Sequence, residues 1–261
     1  MTETPLDQAH AAMEANPLDD AIRMRFYERL ADNELFLLLE KEAEGDQISP
    51  MILEPETGPC VLVFDREERL ADFVEGEAPY AALSGRGLVS MLAGQGIGLG
   101  LNLGVAPSSI LIPSQAVDWL ESSLRDGPEA EEDTPVELRR PAGLPEALLT
   151  ALDSKFATMA GVVKLAYLAG VTYESGRRGH MLAFVDALDP AQEALAKAVN
   201  EALIFSGIEA GALDVLFVAA SDPFAAKLAA NGLKLEMPEP PKEDYTPKAP
   251  GMDPDSPPIL K

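Results

Sequence analysis

The chain has 261 residues, 47% of them hydrophobic, and a formal net charge of −24 from 44 acidic and 20 basic side chains. That length and apolar content build two ordinary domains, while so much negative charge repels phosphate backbones and anionic lipid, excluding nonspecific nucleic-acid binding and attachment to acidic membrane surfaces. The lone cysteine, Cys60, excludes an internal disulfide framework, and with only His10 and His180 neither a histidine metal cluster nor a cysteine zinc site can be assembled. No signal-peptide pattern opens the chain and no apolar run approaches the roughly 20 residues of a membrane span, so a cytoplasmic protein is expected.

In chain order, residues 1–17 are polar and are expected to form a mobile lead carrying His10. Leu18, Ile22, Phe26 and Leu30 then repeat at helical spacing, with Asn16 as the expected cap and Pro17 at the first helical position. Residues 35–39 (LFLLL) form an uninterrupted apolar run, the pattern of a strand buried on both faces. Residues 51–53 and 60–64 flank a Pro/Gly turn, which predicts a hairpin, and Asp65 is expected to cap a short helix through Leu70, Phe73 and Val74. Residues 79–120 alternate strand and helix, with a further cap expected at Ser114. The acidic, proline-bearing run 126–135 (DGPEAEEDTP) predicts a linker.

The second half predicts a helix over 144–159, strands over 162–173 and 180–185 joined by a glycine hairpin, a helix from Asp189-Pro190, a strand over 213–219, a helix from Asp222-Pro223 and a last strand at Leu233. Beyond Pro238 the composition (PEPPKEDYTPKAPGMDPDSPPILK) predicts a disordered, proline-rich tail. The fold class expected is α/β (α+β): two mixed-sheet modules over 14–126 and 144–238, a linker over 127–143 and a tail over 239–261. Both halves run helix, strand, strand, helix, strand, helix, strand. Leu92-Ala-Gly-Gln-Gly-Ile-Gly-Leu99 lies over Leu228-Ala-Ala-Asn-Gly-Leu-Lys-Leu235, and Val61-Leu-Val-Phe-Asp65 over Leu182-Ala-Phe-Val-Asp186, an order consistent with a diverged duplication.

Glycines concentrate between positions 85 and 104. A dinucleotide fingerprint places glycines at i, i+2 and i+5, but from Gly94, Gly96 and Gly98 the last position falls on Leu99, Leu101 and Leu103. Gly98 and Gly100 instead alternate with leucines, as in a strand with one face closely packed, and a helix of the same half is the expected cover. Gly85-Arg86-Gly87-Leu88-Val89-Ser90 is better placed, between a strand and a helix; Gly85, Gly87 and Ser90 are thus the cofactor-binding candidates, though no acidic residue follows at ribose distance. Arg177, Arg178 and His180 form the densest positive spot and are candidates for an anion or partner contact. No spacing demands a catalytic triad, a phosphate loop or a nucleophile elbow, and Cys60 sits in an apolar run as a core residue.

Several of these segments resemble the SseB (enhanced serine sensitivity) proteins of bacteria. Arg25-Phe26-Tyr27-Glu28-Arg29-Leu30 resembles the family's FY..L segment, and Val63-Phe64-Asp65 its strand running into a helix start. Pro79-Tyr80 through Leu92, then Gly98 through Gly104, resembles the region where the family carries Asn-Pro-Gly; here the residues are Asn102-Leu103-Gly104, without the proline. Val163-Lys164-Leu165-Ala166-Tyr167 resembles the start of the family's C-terminal domain. The resemblance covers most of 18–238. It implies N- and C-terminal SseB domains, and because the family name reports a phenotype rather than a reaction, it implies no catalytic residue and no cofactor. A non-catalytic protein-binding or adaptor protein with a protein partner is the leading expectation; the alternative is a small-ligand or nucleotide sensor, or an enzyme, using the turn at Gly85 and Ser90.

Overall fold

The computed structural model describes residues 3–206 and 213–237, apart from positions 44, 46, 126, 128–132, 158, 160 and 164. The expected tail lies outside the described residues, as do positions 128–132 of the expected linker. Two mixed sheets with helices on both faces form the two halves, as the alternating pattern predicts. Among the described residues no helix is long and apolar enough to cross a membrane.

The first half runs α1 (Pro5–Ala15), α2 (Asp20–Asp32), β1 (Glu34–Leu38), β2 (Ile52–Leu53), β3 (Cys60–Phe64), α3 (Glu67–Val74), β4 (Tyr80–Ser84), α4 (Gly85–Leu92), β5 (Gly98–Leu101), β6 (Ile110–Ile112) and α5 (Ser114–Arg125). Its sheet has the order β4-β1-β3-β5-β6, with β3 and β5 parallel and β2 forming the expected hairpin with β3. Leu35, Leu37, Val61, Val63, Leu99 and Leu101 point to one face, under α1, α2, α4 and α5. Leu38, Leu62 and Phe64 point to the other, against Leu70 and Phe73 of α3. Period-two alternation in strands with both faces covered accounts for the continuous apolar runs.

The start of the chain departs from expectation. Residues 5–15 are a helix, opened by a capping box at Thr4, and Leu6, Asp7 and His10 are buried. His10 stacks edge-on against Phe26 with ring centroids 5.7 Å apart. The next helix is capped by Asp19, whose side chain accepts from the Ile22 amide at 3.1 Å, not by Asn16, and Leu18 is 96% exposed. Asp65 is not a cap either: Arg66 holds that position without a side-chain bond, and Asp65 turns inward. Ser114 is the first residue of its helix; the carbonyl of Pro113 accepts from the amides of Ala116 and Val117.

The second half runs β7 (Pro135–Arg139), α6 (Glu146–Ala157), β8 (Leu165–Tyr173), β9 (Arg178–Val185), a 3-10 turn (Asp189–Ala191), α7 (Gln192–Phe205), β10 (Leu213–Val218), α8 (Pro223–Asn231) and β11 (Leu233–Glu236). Residues 135–139, assigned to the linker by composition, pair with β8 as a strand. The sheet order is β10-β9-β8-β11, with β10 parallel to β9. Helices α6 and α7 cover Ala166, Leu168, Leu182 and Phe184; α8 covers Val171, Met181 and Ala183. The halves share element order but not strand neighbours. β4 lies beside β1 and β5 beside β3, whereas β10 lies beside β9 and β11 beside β8, so the outer strands have exchanged edges.

The halves meet along α7. Phe205 and Ile204, at its end, belong to the apolar core of the first half, and Phe205 stands edge-on to Trp119 of α5 with centroids 6.5 Å apart.

Candidate functional site

Gly85 and Gly87 sit where a strand enters a helix, but backbone fills the place a ligand would take. A Cβ on Gly85 would overlap the Leu30 carbonyl of α2, so the glycine serves close packing. Its amide donates to the Asn33 carbonyl at 2.8 Å, and the Gly87 amide donates to Ser84 Oγ at 3.1 Å. The amides that would cradle a phosphate are therefore already bonded. Ser90 is exposed, one turn further on.

Arg86, between the two glycines, joins the halves. It donates to both carboxylate oxygens of Glu201 on α7, at 2.7 and 2.8 Å, and to Asp32 of α2 at 2.6 Å. Lys155 of α6 lies 3.0 Å from Glu28, 3.1 Å from Asp32 and 3.2 Å from Glu201, with its ammonium 6.0 Å from the centre of the Phe205 ring. Burial opposes the charge of Asp32, but the ammonium of Lys155 and the guanidinium of Arg86 outweigh it and hold the carboxyl below its usual range. Burial likewise opposes the charge of Glu201, and the Arg86 bonds outweigh it. Carboxylates held ionised in this way are poor proton donors near neutral pH. The arrangement is suited to docking one domain on the other.

A second polar cluster lies inside the first half. Arg69 grips Asp7 through both terminal nitrogens, with Nη1 to Oδ1 at 3.0 Å, and donates to Asp65 at 2.7 Å. Ser108 Oγ donates to Asp7 at 2.5 Å, Thr4 Oγ1 donates to Asp65 at 2.7 Å, and Asn102 accepts from the Asp65 amide and donates to Ser108. Asn102 takes a left-handed conformation, φ 49°, at the position where the resemblance placed its Asn-x-Gly turn. Burial works against charge on Asp7, yet the bonds from Arg69, Ser108 and the Thr4 amide hold its carboxyl far below the usual range. Arg69, Asp7 and Asp65 have fully enclosed side chains, so this cluster fastens α1 and α3 to the sheet and offers a ligand no access. Sequence reasoning missed it because its partners are 62 positions apart.

Cys60 is buried, and burial pushes its thiol up, opposite to the shift of a reactive cysteine. A cleft of about 140 Å³ beside it is lined by Pro59, Gly98, Ile112 and Ser114. That is well below the 300–1,000 Å³ common for small-molecule sites. Among the described residues no three His, Cys, Asp or Glu side chains are grouped to hold a metal.

The hairpin candidates separate. Arg177 stacks on the Tyr173 ring, 4.3 Å from its centre, and donates to Asp214 at 3.1 Å. Burial first, and then the bond from Tyr173 Oη to Asp214, push the Tyr173 phenol up. Arg178 and His180 instead lie on the other face of β9, the face that α6 and α7 cover further along. Register brings Arg139 to the same face: Arg139 and His180 both pair with Gly170, and Arg178 pairs with Thr172. The Arg139 side chain lies where a Gly170 Cβ would stand, and its Nη1 donates to Thr172 Oγ1 at 3.1 Å. His180 Nε2 is 3.0 Å from the Ala142 carbonyl. Arg139 and Arg178 are exposed and make no ion pair among the described residues. The result is an open end of the sheet where Arg139 and Arg178 share a face with the exposed Glu137, which also pairs with Thr172; the sequence showed only the hairpin side.

Comparison with protein families completes the description. The SseB protein N-terminal domain matches residues 6–119, and the SseB protein C-terminal domain matches residues 130–232. The chain belongs to the SseB family. The N-terminal SseB domain thus includes nearly all of α1, and the C-terminal SseB domain includes β7. No curated protein and no solved structure matches the chain.

Proposed function

We propose that this SseB-family chain is a non-catalytic protein-binding protein that takes an acidic segment of a partner at the open end of its second sheet. The observation that carries the proposal is that Arg139 of β7 and Arg178 and His180 of β9 share one sheet face on either side of β8, with neither arginine in an ion pair among the described residues although Glu137 lies on the same face. In a chain of net charge −24, exposed guanidinium groups outside any ion pair among the described residues are positioned for carboxylates from another molecule. Binding on a rigid three-strand platform needs little reorganisation. The remaining polar clusters support the reading in a different way: the Gly85 turn, Lys155 and Asp7 are all engaged in holding the chain together.

The test compares proteins captured from lysate by the full-length chain and by an Arg139→Glu, Arg178→Glu variant with an unchanged melting curve. Specific partners bound by the wild type should be lost by the variant and released from the wild type as salt rises. An identical captured set from both proteins would remove this surface from the proposal.

A further inference from the structure

Asp65 and Asn102 directly follow β3 and β5, so they stand at the carboxyl ends of two adjacent parallel strands. That end of a parallel pair is where open α/β sheets place their ligands. Here it is lined by donors aimed at one point. Arg69 Nη1 and Nη2 and Ser108 Oγ all donate to the Asp7 carboxylate, and Asn102 Nδ2 donates to Ser108 Oγ at 2.8 Å, which orients that hydroxyl. Arg69 is 1% exposed, and its Nε is buried with no hydrogen-bond partner among the described residues, so the pocket holds more donor capacity than Asp7 uses. Arg69, Ser108 and Asn102 belong to the body of the first half, whereas α1 brings Asp7. The second half has the same parallel pair without the cover. Asp186 follows β9 as Asp65 follows β3, yet it is exposed, and no helix equivalent to α1 precedes α6 among the described residues. α1 is thus an addition over the crevice and not a requirement of such a sheet, and exposed residues 16–20 join it to α2.

We infer that the crevice at the ends of β3 and β5 is a binding site for a small monocarboxylate, filled here by the chain's own Asp7, with α1 as the strap that holds this internal ligand in place. The inference does not rest on the acidic-segment proposal, which concerns the second sheet. Two features select the guest. The first is shape. Two acceptor oxygens in one plane match the two terminal guanidinium nitrogens, and the space is that of one acidic side chain. The second is charge. Asp65 also pairs with Arg69 at 2.7 Å, so a singly charged guest keeps the balance that Asp7 keeps, whereas a phosphate dianion would add uncompensated charge to an enclosed site. With α1 docked the site is closed, and Asp7 competes as a tethered ligand at high effective concentration. An outside carboxylate therefore enters when α1 lifts or when Asp7 is removed.

Asp7→Gly in the full-length chain takes away the internal carboxylate and leaves Arg69 and Ser108 in place, and formate is the probe. Thermal melts in sodium formate are compared with melts in sodium chloride at equal ionic strength. Formate should raise the melting temperature of the variant saturably, while the wild type should respond to formate no more than to chloride. If the variant is unfolded without additive, formate should restore its far-ultraviolet signal and chloride should not. Adding Ser108→Ala should raise the formate concentration needed by roughly tenfold, the loss of one hydrogen bond to the guest. Equal responses of Asp7→Gly to formate and chloride, a wild-type response to formate as large as the variant's, or a formate response that Ser108→Ala leaves untouched would each overturn the inference.

Discussion

Asp7 shows how much one buried charge can decide. Its carboxylate is enclosed with Arg69, and removing one member of such a pair leaves the other desolvated without a counter-charge. Because Asp65 still pairs with Arg69, Asp7→Asn should cost less than the roughly 3–5 kcal/mol of stranding a buried charge altogether, but should still destabilise clearly at neutral pH. The pH dependence follows from the direction of the shift. Asp7 is depressed in the folded state, so its contribution is complete above the unfolded aspartate value of about 3.9 and is lost as pH falls towards the folded value. Urea midpoints for wild type and Asp7→Asn should differ most near neutrality and converge below about pH 4. A gap that stays constant into acid would mean that Asp7 acts by packing and not by charge. Beside this cluster, His10 stacks edge-on against Phe26 at the α1–α2 contact.

Strand β5 makes a matching statement about an element. Its leucines face the main core, and its glycines are closely covered on the other face: a Cβ at Gly98 would meet the Ile112 carbonyl, and one at Gly100 would press on the side chains of Leu103 and Leu62. The expected helix cover is in fact the junction of β6 and α5, which is less able to yield than a side chain. Gly98→Val should lower stability by roughly 1–3 kcal/mol, read as a lower denaturant midpoint at unchanged slope. An unchanged midpoint would mean that the junction moves freely. Elements of this kind were legible because their signals are local. Alternating leucines marked β5, unbroken apolar runs marked β1 and β3, and Asp222 before Pro223 marked the start of α8, where its side chain accepts from Phe224. What escaped depends on distant partners. Helix α1 carries a local start signal in Thr4-Pro5-x-Asp7 but is held in place by Asp7 and Arg69, and β7 exists by pairing with β8, which its own composition does not show. Leu18 has the spacing of a core residue but stands in solvent, because periodicity does not mark where a helix begins. At the candidate site, Arg178 and His180 were visible as a basic run, but Arg139 joins them only through the register of β8.

At the scale of the whole molecule, α7 makes the two SseB domains interdependent. Composition alone predicts separable modules; Phe205 in the core of the first half and the Arg86–Glu201 pair, 115 positions apart in sequence, predict one cooperative body. A specific protease site placed between positions 126 and 132 checks this directly. The cut chain should run as one species on gel filtration. Trp119, the only tryptophan and in contact with Phe205, should lose its folded fluorescence in the same denaturant transition as the far-ultraviolet signal. Two eluting fragments, or a tryptophan transition separated from the rest, would restore the picture of independent modules.

The shared helix also bears on inheritance. A gene that kept only the first half would display Trp119 and Tyr27, ring against ring 5.3 Å apart, as a bare apolar surface, and would leave Arg86 without Glu201. A gene that kept only the second would bring Lys155 and Glu201 into water beside an uncovered Phe205. Along this seam a change at Glu201 sets the terms for Arg86 and Lys155 together. Recombination between relatives should succeed only when these residues travel as a set.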